Sequence, residues 1–285
     1  MSVYVIAEMG LNFMGDMDLA KKMIEAAHFC GVNAVKSQKR DINFLYTEEE
    51  LNRPYENANS FGKTYGEHRK VLELTIEQHA ELKSHAEERG MDYFCSAWEK
   101  NSAKQLIDMG CGIIKIPSAC ITLDSLMQTV NKENLWVIMS TGMSTCEEIN
   151  HAVYMIDKVK RRSILHCTSA YPCRFEDLNL ACIQDLKAFY SRLNNTDIGY
   201  SGHNRGIAVD IAAVAMGATI IERHFTLDRT WKGTDQAASL EPQGLQKLVR
   251  DIRATEQAIG KRGIRVLECE KSAREKLRPK ADKGL

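Results

Sequence analysis

The sequence carries no net charge, because 38 Lys and Arg balance 38 Asp and Glu. No global basic field points to nucleic acid or to an acidic membrane, so an anionic ligand must be held by a few local cations and backbone N–H groups. No apolar run approaches the ~20 residues needed to span a bilayer. The opening M-S-V-Y-V-I-A-E starts a strand almost at once, with no basic n-region or cleavage site, and does not read as a signal peptide. No C-x-x-C pair occurs among the nine cysteines, an odd number in a long chain, which favours reduced, mostly buried thiols and a cytoplasmic setting. No G-x-G-x-x-G follows the first strand, which argues against a doubly wound dinucleotide fold. The N-S-F-G-K-T piece around Lys63 has Asn57 where a phosphate loop needs its first glycine, and no strand precedes it.

What is present is a βα repeat. An apolar content of 44% supplies a core, and 285 residues accommodate an α/β barrel of roughly 250. Short apolar runs at 3–7, 33–35, 92–95, 112–116, 135–139, 163–167, at Ile198 and at 219–222 read as eight strands. Between them lie helical patterns: one with Leu19, Met23, Ala26 and Ala27 on a single face, and others near 101–109, 123–130 and 178–193. Thr75 with Gln78, and Ser144 with Glu147, have capping-box spacing. Ile207, Ile211 and Val214 give a returning helix before the eighth strand, and Leu245, Leu248, Val249 and Ile252 a final amphipathic one. Eight such units close on themselves, predicting a TIM (β/α)8 barrel over 1–260 and a charged tail at 261–285. The connection at 41–73 is expected to be irregular. Its Arg53, Tyr55, Phe61, Lys63, Tyr65 and Arg69 argue against disorder, and a lid over the mouth is favoured over an oligomer contact.

A TIM barrel carries its active site at the C-terminal strand ends. Here those ends hold Glu8, Lys36 with Gln38, Ser96, Lys115 with Ser118, Ser140 with Thr141, Ser169 with Tyr171, Ser201 with His203, and Glu222 with His224. A single serine at such a place is more often a cap, and a lone histidine more often structural. Two imidazoles at the same end of neighbouring parallel strands make half of a metal site. Lysine is almost never buried unpaired, so Lys36 and Lys115 in apolar strands are expected to face an anion rather than only Glu8 or Glu222. The set suits a phosphorylated or carboxylated small molecule with a divalent ion, Mn²⁺, Zn²⁺, Fe²⁺ or Co²⁺.

In order, I-A-E-M-G-L-N, V-K-S-Q, K-I-P-S, M-S-T-G-M, L-H-C-T-S-A-Y-P, G-Y-S-G-H, I-E-R-H-F-T-L-D-R and K-G-T-D-Q-A-A-S-L resemble the sialic acid synthase family of phosphoenolpyruvate-dependent condensing enzymes. The resemblance implies condensation of phosphoenolpyruvate with N-acetylmannosamine or a related aminosugar, giving a nonulosonic acid and phosphate. It implies His203 and His224 as ligands of Mn²⁺, with Mg²⁺ or Co²⁺ as substitutes. Lys36, Ser96, Lys115, Ser118, Ser140 and Ser201 fall where the family holds phosphate and carboxylate. Glu8, Tyr171 and Asp235 fall on positions that touch the acceptor or the reacting atoms, and Gln38 and Ser169 on the acceptor side. The chain departs from the family pattern at Cys120, where an acidic residue is usual, at Ser169 in place of asparagine, and at Phe13 in place of histidine. Many members also continue into a C-terminal antifreeze-like domain, of which the tail here resembles only the start. Two other readings stay open: condensation with a phosphorylated aldose, and a non-catalytic barrel serving as a binding or assembly module. A homo-oligomer is compatible with each.

Overall fold

A computed structural model describes residues 2–261 and 263–279. Eight parallel strands close into a barrel in sequence order: β1 (Tyr4–Gly10), β2 (Ala34–Lys39), β3 (Asp92–Ala97), β4 (Ile113–Ile116), β5 (Trp136–Ser140), β6 (Arg161–Cys167), β7 (Thr196–Gly202) and β8 (Ile220–His224). The helices between and after them are α1 (Met17–Phe29), α2 (Ile42–Leu45), α3 (Glu48–Asn52), α4 (Tyr65–Leu72), α5 (Ile76–Glu87), α6 (Lys100–Asp108), α7 (Asp124–Val130), α8 (Cys146–Met155), α9 (Cys182–Tyr190), α10 (Ala208–Ala215), α11 (Pro242–Ile259) and α12 (Lys271–Leu277). The expected TIM barrel is the observed fold. Among the described residues no helix is long and apolar enough to cross a membrane, and all nine cysteines are free.

Two details differ from the sequence expectation. The 41–73 connection is structured: α2, α3 and α4 lie within it, and an isolated antiparallel bridge joins Pro54 to Thr64. Thr47 and Thr64 start α3 and α4 with complete capping boxes, which stabilise helices too short for an apolar stripe to reveal. The box on α8 is displaced by one residue: Thr145 accepts from Glu148 N, and Glu148 returns to Thr145 N, whereas Ser144 donates to the Gly142 carbonyl. The sequence S-T-C-E-E holds two overlapping boxes, and the chain uses the second. Beyond Gly260 the described residues, α12 included, are exposed, while 262 and 280–285 of the expected tail lie outside the described residues.

Alternation along each strand sorts the side chains into two buried regions. Outward residues such as Val5, Val35, Ile114, Val137, Ile164 and Ile221 pack against helix residues including Met23, Leu82, Leu106, Leu126, Leu186 and Leu245. Inward residues at the N-terminal half of the barrel, Ile6, Ala34, Phe94, Trp136, Ile138, Leu165 and Ile220, form a separate apolar floor, with Tyr4 and Ile113 packed against it. Burying each large side chain of that floor contributes on the order of 1.5–3 kcal/mol. The site lies directly above it.

Candidate active site

Two residues beyond the floor, six strands exchange an apolar side chain for a polar one: Ile6 gives way to Glu8, Ala34 to Lys36, Phe94 to Ser96, Ile113 to Lys115, Ile138 to Ser140 and Ile220 to Glu222. Strand register brings them together, with Glu8 beside both Lys36 and His224, Gln38 beside Ser96, Ser96 beside Lys115, and Ser201 beside Glu222. One cavity of about 330 Å³ results, and each residue given a role from the sequence lines it: Glu8, Lys36, Gln38, Ser96, Lys115, Ser118, Ser140, Ser169, Tyr171, Ser201, His203, His224 and Asp235. Thr141 does not line it, since its hydroxyl turns away to donate to the Leu165 carbonyl.

The lysines are 2% exposed and already paired. Lys36 Nζ lies 2.5 Å from Glu8 Oε2 and 3.9 Å from Glu222 Oε2, and donates to Ser96 Oγ at 2.7 Å. Lys115 Nζ lies 3.4 Å from Glu222 Oε1 and donates to Ser140 Oγ at 2.6 Å. Glu222 Oε1 also accepts from Ser201 at 3.0 Å. The expectation set an anion against pairing with Glu8 or Glu222, and in this structure those carboxylates are the partners. Burial opposes the charge on Lys36, but Glu222 and then Glu8 outweigh it and raise its pKa. Burial wins at Lys115 despite Glu222, with Lys36 adding repulsion, and its pKa is lowered. Burial would raise Glu222, yet Lys115, Lys36 and Ser201 together bring it down to about 2.

The imidazoles of His203 and His224 stand with ring centroids 5.4 Å apart, and Tyr171, half-exposed, covers them at 3.9 and 5.8 Å. His203 Nδ1 bonds to the Thr168 carbonyl at 3.0 Å, an arrangement that puts the proton on Nδ1 and leaves Nε2 a lone pair. Burial, then the neighbouring His224, pushes His203 down to about 3, so its ring is neutral. His224 Nδ1 is buried without a hydrogen-bond partner, 3.9 Å from Asp235 Oδ2. Two imidazoles that each keep an unspent nitrogen fit a divalent ion. Among the described residues no three His, Cys, Asp or Glu gather as a complete ligand set, so water and substrate oxygens would have to finish the sphere.

Two glycines shape the mouth. A Cβ on Gly142, in M-S-T-G-M, would meet Ser169 Oγ at 2.2 Å and Ser118 Oγ at 2.9 Å, and its N–H donates to Ser118. Gly10, at φ +53, follows a register shift in β1 and lies against Asp235, Gln38 and Glu8. The departures from the family pattern are equally readable. Phe13 is fully buried, while Asn12 before it donates to Phe225 O and Ser239 Oγ, tying the first loop to the segment that follows β8. Cys120 is buried outside the cavity lining, donates to Trp98 O, and has its pKa pushed up to about 12 by burial. It is a thiol at neutral pH and no replacement for a carboxylate base.

The sequence placed Glu222 among the strand ends and as a possible partner for the lysines but gave it no role in the chemistry, and it did not select Arg40 or Trp98. Arg40 stacks on Trp98 at 3.8 Å, donates to Gln38 Oε1 at 2.5 Å and pairs with Glu73 at 3.2 Å. The signal was an arginine closing V-K-S-Q-K-R, one residue past the observed end of β2. The 41–73 segment reaches the mouth, as expected of a lid: Arg69 lines the cavity, Asn59 Oδ1 accepts from Gly233 N, and Lys232 sits over the Phe61 ring at 4.7 Å.

Residues 23–263 match the NeuB family. The chain is 40% identical over 276 residues to the N-acetylneuraminate-9-phosphate synthase of Mus musculus, covering 96% of this chain and 76% of that one. It is 38% identical to the N,N'-diacetyllegionaminic acid synthase of Campylobacter jejuni over 261 residues, 90% of this chain and 77% of the relative. Among solved structures, the N-acetylneuraminic acid synthetase of Leptospira borgpetersenii, in complex with citrate, superposes with a TM-score of 0.83 at 32% identity, over 97% of this chain and 91% of that one.

Proposed function

From the premise that this chain belongs to the NeuB family, we propose that it condenses phosphoenolpyruvate with N-acetylmannosamine or a related aminosugar, forming a nonulosonic acid and releasing phosphate. The observation that carries the reading is the gathering of Lys36, Lys115, their serines and two imidazoles around one cavity. Relatives named for N-acetylneuraminate-9-phosphate and for diacetyllegionaminic acid support the product class.

Lys36 and Lys115 exchange their carboxylate partners for the donor's phosphate and carboxylate, and Ser96, Ser118, Ser140 and Ser201 supply hydroxyl donors. Gln38, Ser169, Tyr171 and Asp235 orient the acceptor. C3 of phosphoenolpyruvate attacks the open-chain aldehyde carbon, and the aldehyde oxygen takes up a proton. Water adds to the electron-poor C2 and gives up a proton. The adduct then expels phosphate, whose charge the lysines stabilise. With a thiol at position 120, Glu8, Glu222 and Asp235 are the carboxylates lining the cavity that can accept a proton. A divalent ion, Mn²⁺ with Mg²⁺ or Co²⁺ as substitutes, would be held by His203 and His224 and supplies polarisation of the acceptor aldehyde when bound. Free cysteines support a cytoplasmic setting.

Phosphate release from phosphoenolpyruvate on adding N-acetylmannosamine with Mn²⁺ is the expected result. Silence across a panel of N-acylated mannose-type sugars would overturn the reading. His203→Ala and His224→Ala should each abolish Mn²⁺ binding in an electron paramagnetic resonance titration, with circular dichroism unchanged; parent-like binding in both would remove them as ligands.

A further inference from the structure

Lys36, Gln38 and Arg40 stand at every second position along β2 and just past its end, and all three line the cavity. Arg40 is the outermost of them, a guanidinium only 4% exposed. Burial works against its charge and Glu73 supports it. Three contacts fix its plane: it stacks on Trp98, its Nη1 pairs with Glu73, and its Nη2 donates to Gln38 Oε1. Glu73 also accepts from Arg40 N at 3.1 Å, so the residues that bracket the 41–73 segment close on each other.

This arrangement settles which way the Gln38 amide points. An arginine has N–H donors and no acceptor, so the Gln38 carbonyl faces Arg40 and the amide nitrogen faces away. That nitrogen donates one hydrogen to Glu8 Oε1 at 3.1 Å, and Glu8 is ion-paired with Lys36. Its second hydrogen is left for a ligand. A Cβ on Gly10 would come within 3.3 Å of both Gln38 Nε2 and Asp235 Oδ2, so the missing side chain leaves room beside both. We infer that Arg40 is a positioning residue: it locks the Gln38 amide so that the acceptor meets an N–H donor there and never a carbonyl. The inference rests on the condensation proposed above, in which Gln38 orients the acceptor. The group gripped is an acceptor oxygen with a free lone pair, a sugar hydroxyl or a carbonyl.

Arg40→Met removes the donor and keeps apolar bulk against Trp98. In initial rates of phosphate release with N-acetylmannosamine and Mn²⁺, its acceptor KM should rise at least about fivefold, as loss of one oriented hydrogen bond allows. Its KM for phosphoenolpyruvate should move less than about twofold, and Arg40→Lys, which keeps a donor for Oε1, should recover part of the loss. Glu73→Gln separates positioning from packing: it loosens the closure of the 41–73 segment and should lower the melting temperature, yet hold the acceptor KM within about twofold of the parent. An unchanged acceptor KM in Arg40→Met, an equal rise in Glu73→Gln, or a rise shared by phosphoenolpyruvate would overturn the assignment. Should Arg40→Met not fold, Arg40→Lys takes its place with a smaller expected rise, and parent-like values there count equally against it. A second reading needs no turnover: the Gln38 side-chain amide signal in ¹H–¹⁵N NMR, identified by its loss in Gln38→Glu. Its exchange with water should quicken at least about tenfold in Arg40→Met. If no sugar is turned over, the condensation fails alone and this signal still decides, since parent-like exchange in Arg40→Met removes the positioning role.

Discussion

The floor and the mouth of the barrel are built by the same strands, two residues apart, and differ in almost every physical respect. The floor joins Ile6, Phe94, Ile138, Leu165 and Ile220 in one apolar layer with no polar side chain among its members. The mouth is as deeply buried at Glu8, Lys36, Ser96, Lys115 and Glu222, yet polar throughout and charged at all but Ser96. It also retains polar atoms that are incompletely satisfied: His224 Nδ1 is buried without a hydrogen-bond partner, and Glu222 Oε2 has Lys36 only at 3.9 Å. Apolar burial stabilises without direction, whereas buried charges hold together only through geometry and cost free energy when left incomplete. The fold has placed its stability in one layer and its chemical capacity in the next.

That division can be broken in either direction. Phe94→Ala should have the largest effect on folding, about 3–5 kcal/mol in urea unfolding, because a large ring leaves a cavity at the floor. A loss below about 1 kcal/mol would mean the floor is not the stabilising layer. Lys115→Met should reverse the profile, lowering phosphate release by about 10²–10³-fold. Its stability cost should stay near 1–3 kcal/mol, because Glu222 keeps Ser201 at 3.0 Å and Lys36 at 3.9 Å. If instead melting falls further in Lys115→Met than in Phe94→Ala, mouth and floor are not separable.

A smaller effect sharpens the contrast from outside the barrel. Ser37 and Cys95, one position from Lys36 and Ser96, point outward to Tyr93 and His79, whose Nδ1 bonds the Tyr93 hydroxyl at 2.8 Å. Burial pushes His79 down to about 3, so the folded protein keeps this ring neutral while the unfolded chain protonates near 6.5. The unfolded state then binds more protons between those values, and stability attributable to His79 falls as pH drops through that window, by at most about 1.4 kcal/mol per unit. In His79→Gln, stability should decline less steeply than in the parent between pH 6.5 and 4 in chemical denaturation. Parallel curves would show that His79 does not titrate as its burial implies.

Much of this was readable in the chain because the strands switch from apolar to polar at a fixed place. A lysine or glutamate closing an apolar run has few destinations other than a barrel mouth, and Lys36, Lys115 and the two histidines were legible on that ground. The 41–73 segment was not, since α2 and α3 span four and five residues and give a 3.6-residue period nothing to repeat. Glu222 was obscured by its position: next to a suspected ligand it read as a local partner, and only the register with β7 and the reach of two lysines make it central. The state of Cys120 depends on packing from Trp98 and on burial, neither of which has a signature in sequence.

Glu222 stands within reach of both buried ammonium groups, and Lys115 has a lowered pKa even in its company. Without that resident counter-charge the lysine would tend to discharge, and the chamber would greet an incoming anion with a neutral amine. Capture of a phosphate here is therefore an ion exchange conducted inside the barrel. Its affinity measures the margin between two anions competing for the same pair of cations, not the full attraction of either one.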